Sequence, residues 1–353
     1  MHVIRVRNVH EALPAGIKYL AGYGTASPSR VGNVIVAPGP VTTVLDRPTE
    51  RVLTYPERDA NPFFHFMEGL GFLAGRKDLA YYSQFVKRME AYSDDGETLP
   101  ASYGWRWRNH FGFDQLTRAI ALFRNHPNTR RAVVAMWDPA TDLHDNEAAT
   151  KDAPCNTSVM FWTSLGRRDE PNRLNMTVVN RSNDIIMGLY GANAVHMSML
   201  LEYMATNIGL VVGSMTTVSN NFHIYQQDYD KFATGALAVK AEPTASLYEK
   251  EEVEVYPLIQ KASTWDADLA AFMVDPAHKK FDNEFFREVA APMWWAHSAH
   301  KRGAYTQALE IIATCRASDW RIACTQWLQR RQTTWQQKKR IELGREQVDR
   351  EEV

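Results

Sequence analysis

Residues 194–208 read as a strongly apolar helix, with Met197, Leu200, Leu201 and Met204 among its members. A helix with so little polar surface has to be buried, so the chain must wrap other layers around it. The methionines suit a packed interior, where an unbranched thioether fills irregular gaps, and they carry no ligand role. Upstream, residues 174–180 read as a strand running into the polar stretch Asn180-Arg181-Ser182-Asn183-Asp184. Residues 132–137 read as a second, buried strand. A polar, turn-rich loop over 138–153 then delivers Cys155 to the start of a strand at 158–162.

Helical periodicity marks two further segments. Across 61–92, Phe64, Met67, Glu68, Gly71 and Phe72 recur at spacings of three and four, so Glu68 shares a face with apolar neighbours and faces either core or cleft. Across 113–125, Leu116, Ile120 and Phe123 form one stripe, and His126-Pro127 ends it. Residues 2–58 read as short strands and turns, with β-rich runs at 31–36 and 41–44 around Pro38-Gly39-Pro40. Residues 282–348 read as helices anchored by Trp294, Trp295, Trp320, Trp327 and Trp335. The charged run at 250–254 reads as a solvated edge, and 336–353 as an exposed helix or frayed tail.

The chain has 353 residues, 45% of them hydrophobic, and a formal net charge of −1. That balance argues against a polyanion-binding protein, whereas a small anion needs only a local arginine cluster. Three cysteines, Cys155, Cys315 and Cys324, without CxxC spacing exclude a disulfide framework and a structural zinc site. Neither a signal-peptide core nor a run of about 20 apolar residues is visible, so no membrane segment and a reducing cytoplasm are expected.

The chemistry concentrates in the run Asp152-Ala153-Pro154-Cys155-Asn156-Thr157 and in Arg181-Ser182 downstream. A thiol is a nucleophile and a good leaving group once ionised, and a guanidinium nearby lowers its pKa while gripping phosphate.

These residues belong to a larger ordered set. Phe66-Met67-Glu68-Gly69-Leu70-Gly71-Phe72-Leu73-Ala74-Gly75, Ser102-Tyr103-Gly104-Trp105-Arg106-Trp107-Arg108, and Thr129-Arg130-Arg131 with Trp137 come first. Pro154-Cys155, Arg181-Ser182-Asn183-Asp184 through Gly188 to Asn193, and His223-Ile224-Tyr225 follow. In that order, over roughly 60–230, they resemble the thymidylate synthase superfamily, which includes the phage deoxypyrimidine-monophosphate hydroxymethylases. The resemblance implies an α+β, thymidylate-synthase-like fold: a mixed β-sheet packed by helices over 1–235, with a helical C-terminal extension over 236–353. It implies a cytoplasmic homodimer with shared active sites that uses 5,10-methylenetetrahydrofolate as co-substrate, with no metal and no nucleic-acid partner.

It also implies roles. Cys155 is the nucleophile, and Glu68 and Tyr103 handle protons and water. Arg181 and Ser182 bind the 5′-phosphate, reached also by Arg130 and Arg131 of the partner subunit and by Arg30 from a flexible loop. His223 and Tyr225 hold the sugar 3′-hydroxyl, and Asp184 meets the pterin. The base-reading position falls on Ala192 without a gap, or on Asn193 with one residue inserted in 189–192. Asparagine offers uracil both a donor and an acceptor, which favours Asn193 and dUMP, with dCMP left open.

Three departures from the synthases bear on the reaction. Asn156 stands where they have histidine after the cysteine, and no tryptophan lies between Phe85 and Ser102, where Met89 and Tyr92 are the nearest bulky residues. Arg350-Glu351-Glu352-Val353 stands where they have an apolar tail. Poorer exclusion of water points to a hydroxymethyl product. A thymidylate synthase, a dCMP methylase or hydroxymethylase, and an idle nucleotide-binding scaffold are the alternatives.

Overall fold

The structure, a computed structural model, describes residues 1–146, 150–166, 170–234, 246–250, 252–277 and 280–351, with side chains described to 337 and at 339. Glu251 of the charged run, the expected domain boundary at 235–236, and Glu352 and Val353 lie outside the described residues.

Two sheets carry the architecture. The larger has the strand order β1-β4-β9-β7-β6-β5. Its members are β1 (His2–Val6), β4 (Val41–Leu45), β5 (Val133–Ala135), β6 (Asn156–Ser164), β7 (Arg173–Asn180) and β9 (Val211–Ser219). The pairs β1–β4 and β7–β9 are parallel and the others antiparallel, so the sheet is mixed. The smaller sheet, β2-β3-β10-β8, joins β2 (Thr25–Ser29), β3 (Gly32–Val36), β8 (Asn183–Asp184) and β10 (Phe222–Tyr225).

The apolar helix is α7 (Asn193–Ile208), and it is buried almost throughout, as its composition demands. It packs between the large sheet and α2 (Pro62–Leu73), in which every residue but Phe64 is buried. The layer is completed by α3 (Leu79–Ser83), α4 (Tyr103–Arg108), α5 (Gln115–Asn125), and the short α6 (Pro139–Asp142) and α8 (Gln226–Tyr229). The expected helical stretch 61–92 is thus divided. Gly75, at φ 71°, ends the first piece, and a 3₁₀ turn at Lys87–Tyr92 forms the last.

One helix was not foreseen. Residues 2–58 hold α1 (Val9–Tyr23), whose buried Val9, Leu13, Ile17 and Leu20 follow helical spacing. Pro14 hides the pattern, because proline normally breaks a helix interior. Here the cost is met locally: Tyr55 donates its hydroxyl proton to the freed His10 carbonyl at 3.1 Å. The expected strand 132–137 shrinks to β5, an edge strand whose Val133 is 52% exposed.

Beyond residue 245 the chain adds α9 (Ala262–Val274), α10 (Ala291–Lys301), α11 (Tyr305–Ala313) and α12 (Ser318–Glu351). Phe66 of α2 meets Phe285 and Trp320, with centroids 5.7 and 5.1 Å away, and Phe63 meets Trp327 at 5.7 Å. Trp295 and Trp335 are not buried anchors; each is 40% exposed because it lies on an outer helix face. No helix among the described residues is long and apolar enough to cross a membrane.

The face of the large sheet turned away from α7 is only partly covered. Val133, Met160, Thr177, Thr216 and Val44 are register partners in one row across five strands, and none is fully buried. Trp162, at 49% exposed, extends the same face.

Candidate active site

Cys155 sits at the mouth of β6, where Asn156 pairs with Asn180 of β7. A bulge between Asn156 and Ser158 interrupts the ladder, and the Thr157 carbonyl accepts from both Met136 N (3.0 Å) and Trp137 N (3.1 Å). A bulge re-aims side chains, and here Asn156 is fully buried while Cys155 stays half-exposed. Arg181 closes round the cysteine peptide. Its backbone N–H donates to the Cys155 carbonyl at 2.9 Å, and its guanidinium donates to the Pro154 and Ala153 carbonyls at 3.0 and 3.2 Å. Trp137 lies under it, 5.6 Å from the ring centroid. The remaining guanidinium N–H groups are free to point outward.

The thiol does not titrate as the sequence leads one to expect. Burial pushes the Cys155 pKa up, Arg181 pulls it down, and Asp152 and Asp184 push it up again, so the net shift is upward. One guanidinium does not outweigh the desolvation.

Glu68 and Tyr103 reach the same cleft through close backbone approaches. A Cβ on Gly104 would fall 2.0 Å from the Phe72 carbonyl oxygen, so only glycine lets the start of α4 press on the end of α2. Tyr103 is thereby packed against Phe72 in a tilted pair, with centroids 5.4 Å apart. Burial, reinforced by Cys155 and Glu68, holds the Tyr103 hydroxyl well above its ordinary pKa, so it stays protonated. Glu68 is 6% exposed. The neighbouring Gly69 faces α7, where a Cβ would meet Met199 Sδ at 2.5 Å.

The smaller sheet supplies a third wall. His223 of β10 is the register partner of Asp184 on β8, and its ring meets Tyr225 edge-on at 5.6 Å. Asp184 accepts from Ile186 N (3.2 Å) and Met187 N (2.9 Å), capping the π-helical turn Ile185–Ala192. Burial raises the Asp184 pKa and lowers that of His223, so each is moved towards neutrality. Tyr225 lies within electrostatic reach of Asp184, Tyr92, Cys155 and Arg88. Ser182 is half-buried beside Arg181.

A π-turn takes up one residue more than an α-turn. The turn at 185–192, kinked at Gly191 (φ −107°, ψ −116°), covers the stretch 189–192 in which one inserted residue was expected. Asn193 follows as the first residue of α7, half-buried, and its amide nitrogen lies 3.3 Å from where a Gly188 Cβ would be. Ala192 is buried.

Three arginines stay outside this cleft within the chain. Arg30 is exposed at the tip of the β2–β3 hairpin, off the sheet that carries His223 and Tyr225. Arg130 and Arg131 are exposed in the turn before β5, and Val133 pairs with Met160. At about 3.3 Å per residue this puts them on the order of 20–25 Å along the sheet from Cys155.

Other site residues were not singled out from sequence. Asp152 accepts from Ala101 N at 2.7 Å, and burial raises its pKa to about 6. Arg106 is buried in a two-pronged pair with Asp142 at 2.7 and 2.9 Å, tying α4 to the loop that leads to Cys155. Arg58, also buried, donates to the Ile186 carbonyl at 3.1 and 2.9 Å, steadying the π-turn. His196 lies 3.0 Å from Glu68 through Nε2 and Oε2. Its signal was a polar residue inside an apolar helix, shared with Ser198 and Glu202, since a buried polar group is the informative exception.

Residues 59–280 match the thymidylate synthase family. Over 348 residues, 96% of this chain and 97% of the other, the sequence is 42% identical to a deoxyuridylate hydroxymethyltransferase of Pseudomonas phage M6. Over 200 residues it is 36% identical to a deoxyuridylate hydroxymethyltransferase of Bacillus phage SP01, covering 54% of this chain and half of that one. Among solved structures, the thymidylate synthase of T4 phage aligns over 63% of this chain and 78% of its own, with a TM-score of 0.48 and 22% identity.

The upward shift of Cys155 predicts slow alkylation. Cys315 and Cys324 are fully buried, so iodoacetamide labelling of the native protein reports Cys155. The rate should still be climbing above pH 8.5, near the ordinary value for a free thiol. A plateau below pH 8 would mean that further positive charge reaches the sulfur.

Proposed function

We propose, on the premise that this chain belongs to the thymidylate synthase family, that its cleft adds one carbon to position 5 of deoxyuridylate and releases the 5-hydroxymethyl nucleotide. The chain is a one-carbon transferase, and its near full-length likeness to a phage deoxyuridylate hydroxymethyltransferase supports that substrate and product. The observation that carries the reading is the lock between Arg181 and the Cys155 peptide. It fixes a thiol and a phosphate-binding guanidinium in one relative position, with Glu68 and Tyr103 within electrostatic reach.

Carbon 5 of a pyrimidine is a poor nucleophile until a thiolate adds at carbon 6. Cys155 makes that bond, and the ring then gains enolate character. Arg181 and Ser182 hold the 5′-phosphate, while His223 and Tyr225 hold the sugar hydroxyl. Phosphate binding also occupies the guanidinium that lowers the thiol pKa, so the arginines of a second copy have work to do. Arg130 and Arg131 are too far along the sheet to serve their own cleft, and the uncovered row through Val133 and Met160 offers a face for a second chain. Arg30, from its exposed hairpin tip, closes over the phosphate in this reading.

Folate use is implied by the family, and methylenetetrahydrofolate supplies the one carbon at the oxidation level of formaldehyde. Asp184 fits that molecule: each carboxylate oxygen gives one lone pair to the π-turn and keeps another for a pterin N–H. Tyr92, 39% exposed in its 3₁₀ turn, leaves the cleft wetter than a buried tryptophan would. Water therefore reaches the exocyclic methylene of the nucleotide.

Three measurements test this reading. Incubated with dUMP and methylenetetrahydrofolate in ¹⁸O-water, the protein should give a 5-hydroxymethyl nucleotide carrying one label, with no rise in dihydrofolate absorbance. A dihydrofolate signal equal to product would show a synthase or methylase instead.

Asn193 is assigned to the base. Asn193→Asp should move the dUMP to dCMP turnover ratio towards dCMP by at least about tenfold, because a carboxylate accepts from the cytosine amino group and cannot donate to uracil. An unchanged ratio, with a shift on changing Ala192, would reassign the position.

Shared sites are tested by mixing. Cys155→Ser and Arg131→Ala chains, each inactive alone, should regain about a quarter of wild-type activity on subunit exchange, since one site in each mixed dimer is intact. No recovery after demonstrated exchange would remove the partner arginines from the site.

A further inference from the structure

Hydration of the exocyclic methylene releases a proton, and Glu68, only 6% exposed, must pass on any proton it collects. Behind Glu68 lies His196 of α7, 2% exposed, with Nε2 3.0 Å from Glu68 Oε2. The separation is that of a hydrogen bond, yet neither ring nitrogen has a hydrogen bond of acceptable geometry among the described residues. Leaving such atoms unpaired is unfavourable, and an apolar side chain at this helix position would carry no such cost. The ring is held firmly all the same. Phe72 meets it edge-on at 4.7 Å, and a Cβ on Gly69 would lie 3.6 Å from His196 Cδ2.

The surroundings leave few other acceptors. Asn156, next to the nucleophile, is fully buried with neither amide atom partnered among the described residues, and an amide does not titrate. His65, one turn before Glu68 on α2, is kept neutral by burial and by the nearby Arg58 and His196. The other charged or titratable groups that face this pair are Arg58 from the preceding loop, Tyr81 and Tyr82 of α3, and Tyr103 of α4. Those tyrosines are held protonated by burial, so none of them accepts a proton near neutral pH.

We propose that His196 is a positioning and proton-relay residue, which orients the Glu68 carboxylate and takes on the proton that Glu68 collects during hydration. This rests on the reading of the chain as a deoxyuridylate hydroxymethylase. In the step, the water oxygen bonds to the exocyclic methylene and one water proton passes to Glu68. The methylene π electrons move into the ring as an enolate. The enolate then restores the C5–C6 double bond and expels the Cys155 thiolate from carbon 6. His196 never touches the nucleotide; it works through Glu68.

The test compares wild type with His196→Gln and His196→Met on dUMP tritiated at carbon 5. Tritium leaves before hydration, so it reports the earlier steps. Wild type should release one tritium per hydroxymethyl nucleotide. Both variants should lose at least about tenfold in product while keeping the KM for dUMP within about twofold. Their tritium release should exceed product, and the pH–rate profile should lose one limb. Product within twofold of wild type, a ratio of one and an unchanged profile would overturn the proposal. If neither variant melts as wild type does, ¹⁵N-histidine NMR of the native protein decides. The His196 titration midpoint should move by more than about one unit in Glu68→Gln, and an unmoved midpoint overturns the relay. A wild type that makes no hydroxymethyl product would instead overturn the reaction on which this rests.

Discussion

The contact on which the cleft depends is the approach of α2 to its neighbours, closer than any side chain allows. Gly69 gives way to Met199, Gly71 to Tyr81, and the Phe72 backbone occupies the space a Cβ on Gly104 would need. A methyl group at any of these would meet an atom at 2.0–2.6 Å, far inside contact distance. Glu68 and Tyr103 are placed by these approaches, since one flanks Gly69 and the other Gly104. The opposite side of α2 is closed by the C-terminal helices through Phe63, Phe66, Trp320 and Trp327. The helix that carries Glu68 is therefore gripped from both sides, which fixes the orientation of that carboxylate.

The same C-terminal helices reach the nucleotide wall by a second route. Arg330 and Arg331 of α12 pair with Asp59 at 2.9 and 2.5 Å, and Asp59 sits at a positive φ of 47°. Next to it, Arg58 holds the Ile186 carbonyl of the π-turn. On α7, Glu202 accepts from Leu258 N at 2.7 Å and pairs with Arg51. Of these, the Arg51–Glu202 pair is buried, and removing one partner of a buried pair typically costs about 3–5 kcal/mol, whereas the Asp59 pairs are about a third exposed and screened by water. The extension thus steadies both the helix that carries Glu68 and the turn before Asn193.

Much of this was legible in sequence, for a physical reason. Cys155, Arg181, Glu68, Tyr103, His223 and Tyr225 lie in local blocks, and the backbone around each is set by nearby residues such as Gly104 and the bulge after Asn156. The apolar run at 194–208 dictated its own burial. What failed was non-local. Pro14 masks α1 because the tyrosine that satisfies the freed carbonyl is Tyr55, far along the chain. His196 became visible only when α7 was laid against α2. The thiol pKa was misjudged because the sequence shows Arg181 but not how much water the fold removes.

That last error points to how the cleft is organised. Burial moves Cys155, Tyr103 and Asp184 up and His223 down, and it brings Asp152 to about 6. All five shifts disfavour the charged form, so in a single chain burial opposes ionisation of the thiol. A nucleotide phosphate is anionic, and its own charge would oppose ionisation of the nearby thiol. Ionising Cys155 beside bound substrate therefore requires more cationic charge than Arg181 supplies. The exposed guanidiniums of Arg30, Arg130 and Arg131 have no ion-pair partner among the described residues, so they are available to supply it. In the dimer proposed above, the thiol would become reactive only when substrate and a second copy are both present, and the free chain would stay chemically quiet. The electrostatics of the cleft and the distance of the paired arginines along the sheet then follow from the same requirement.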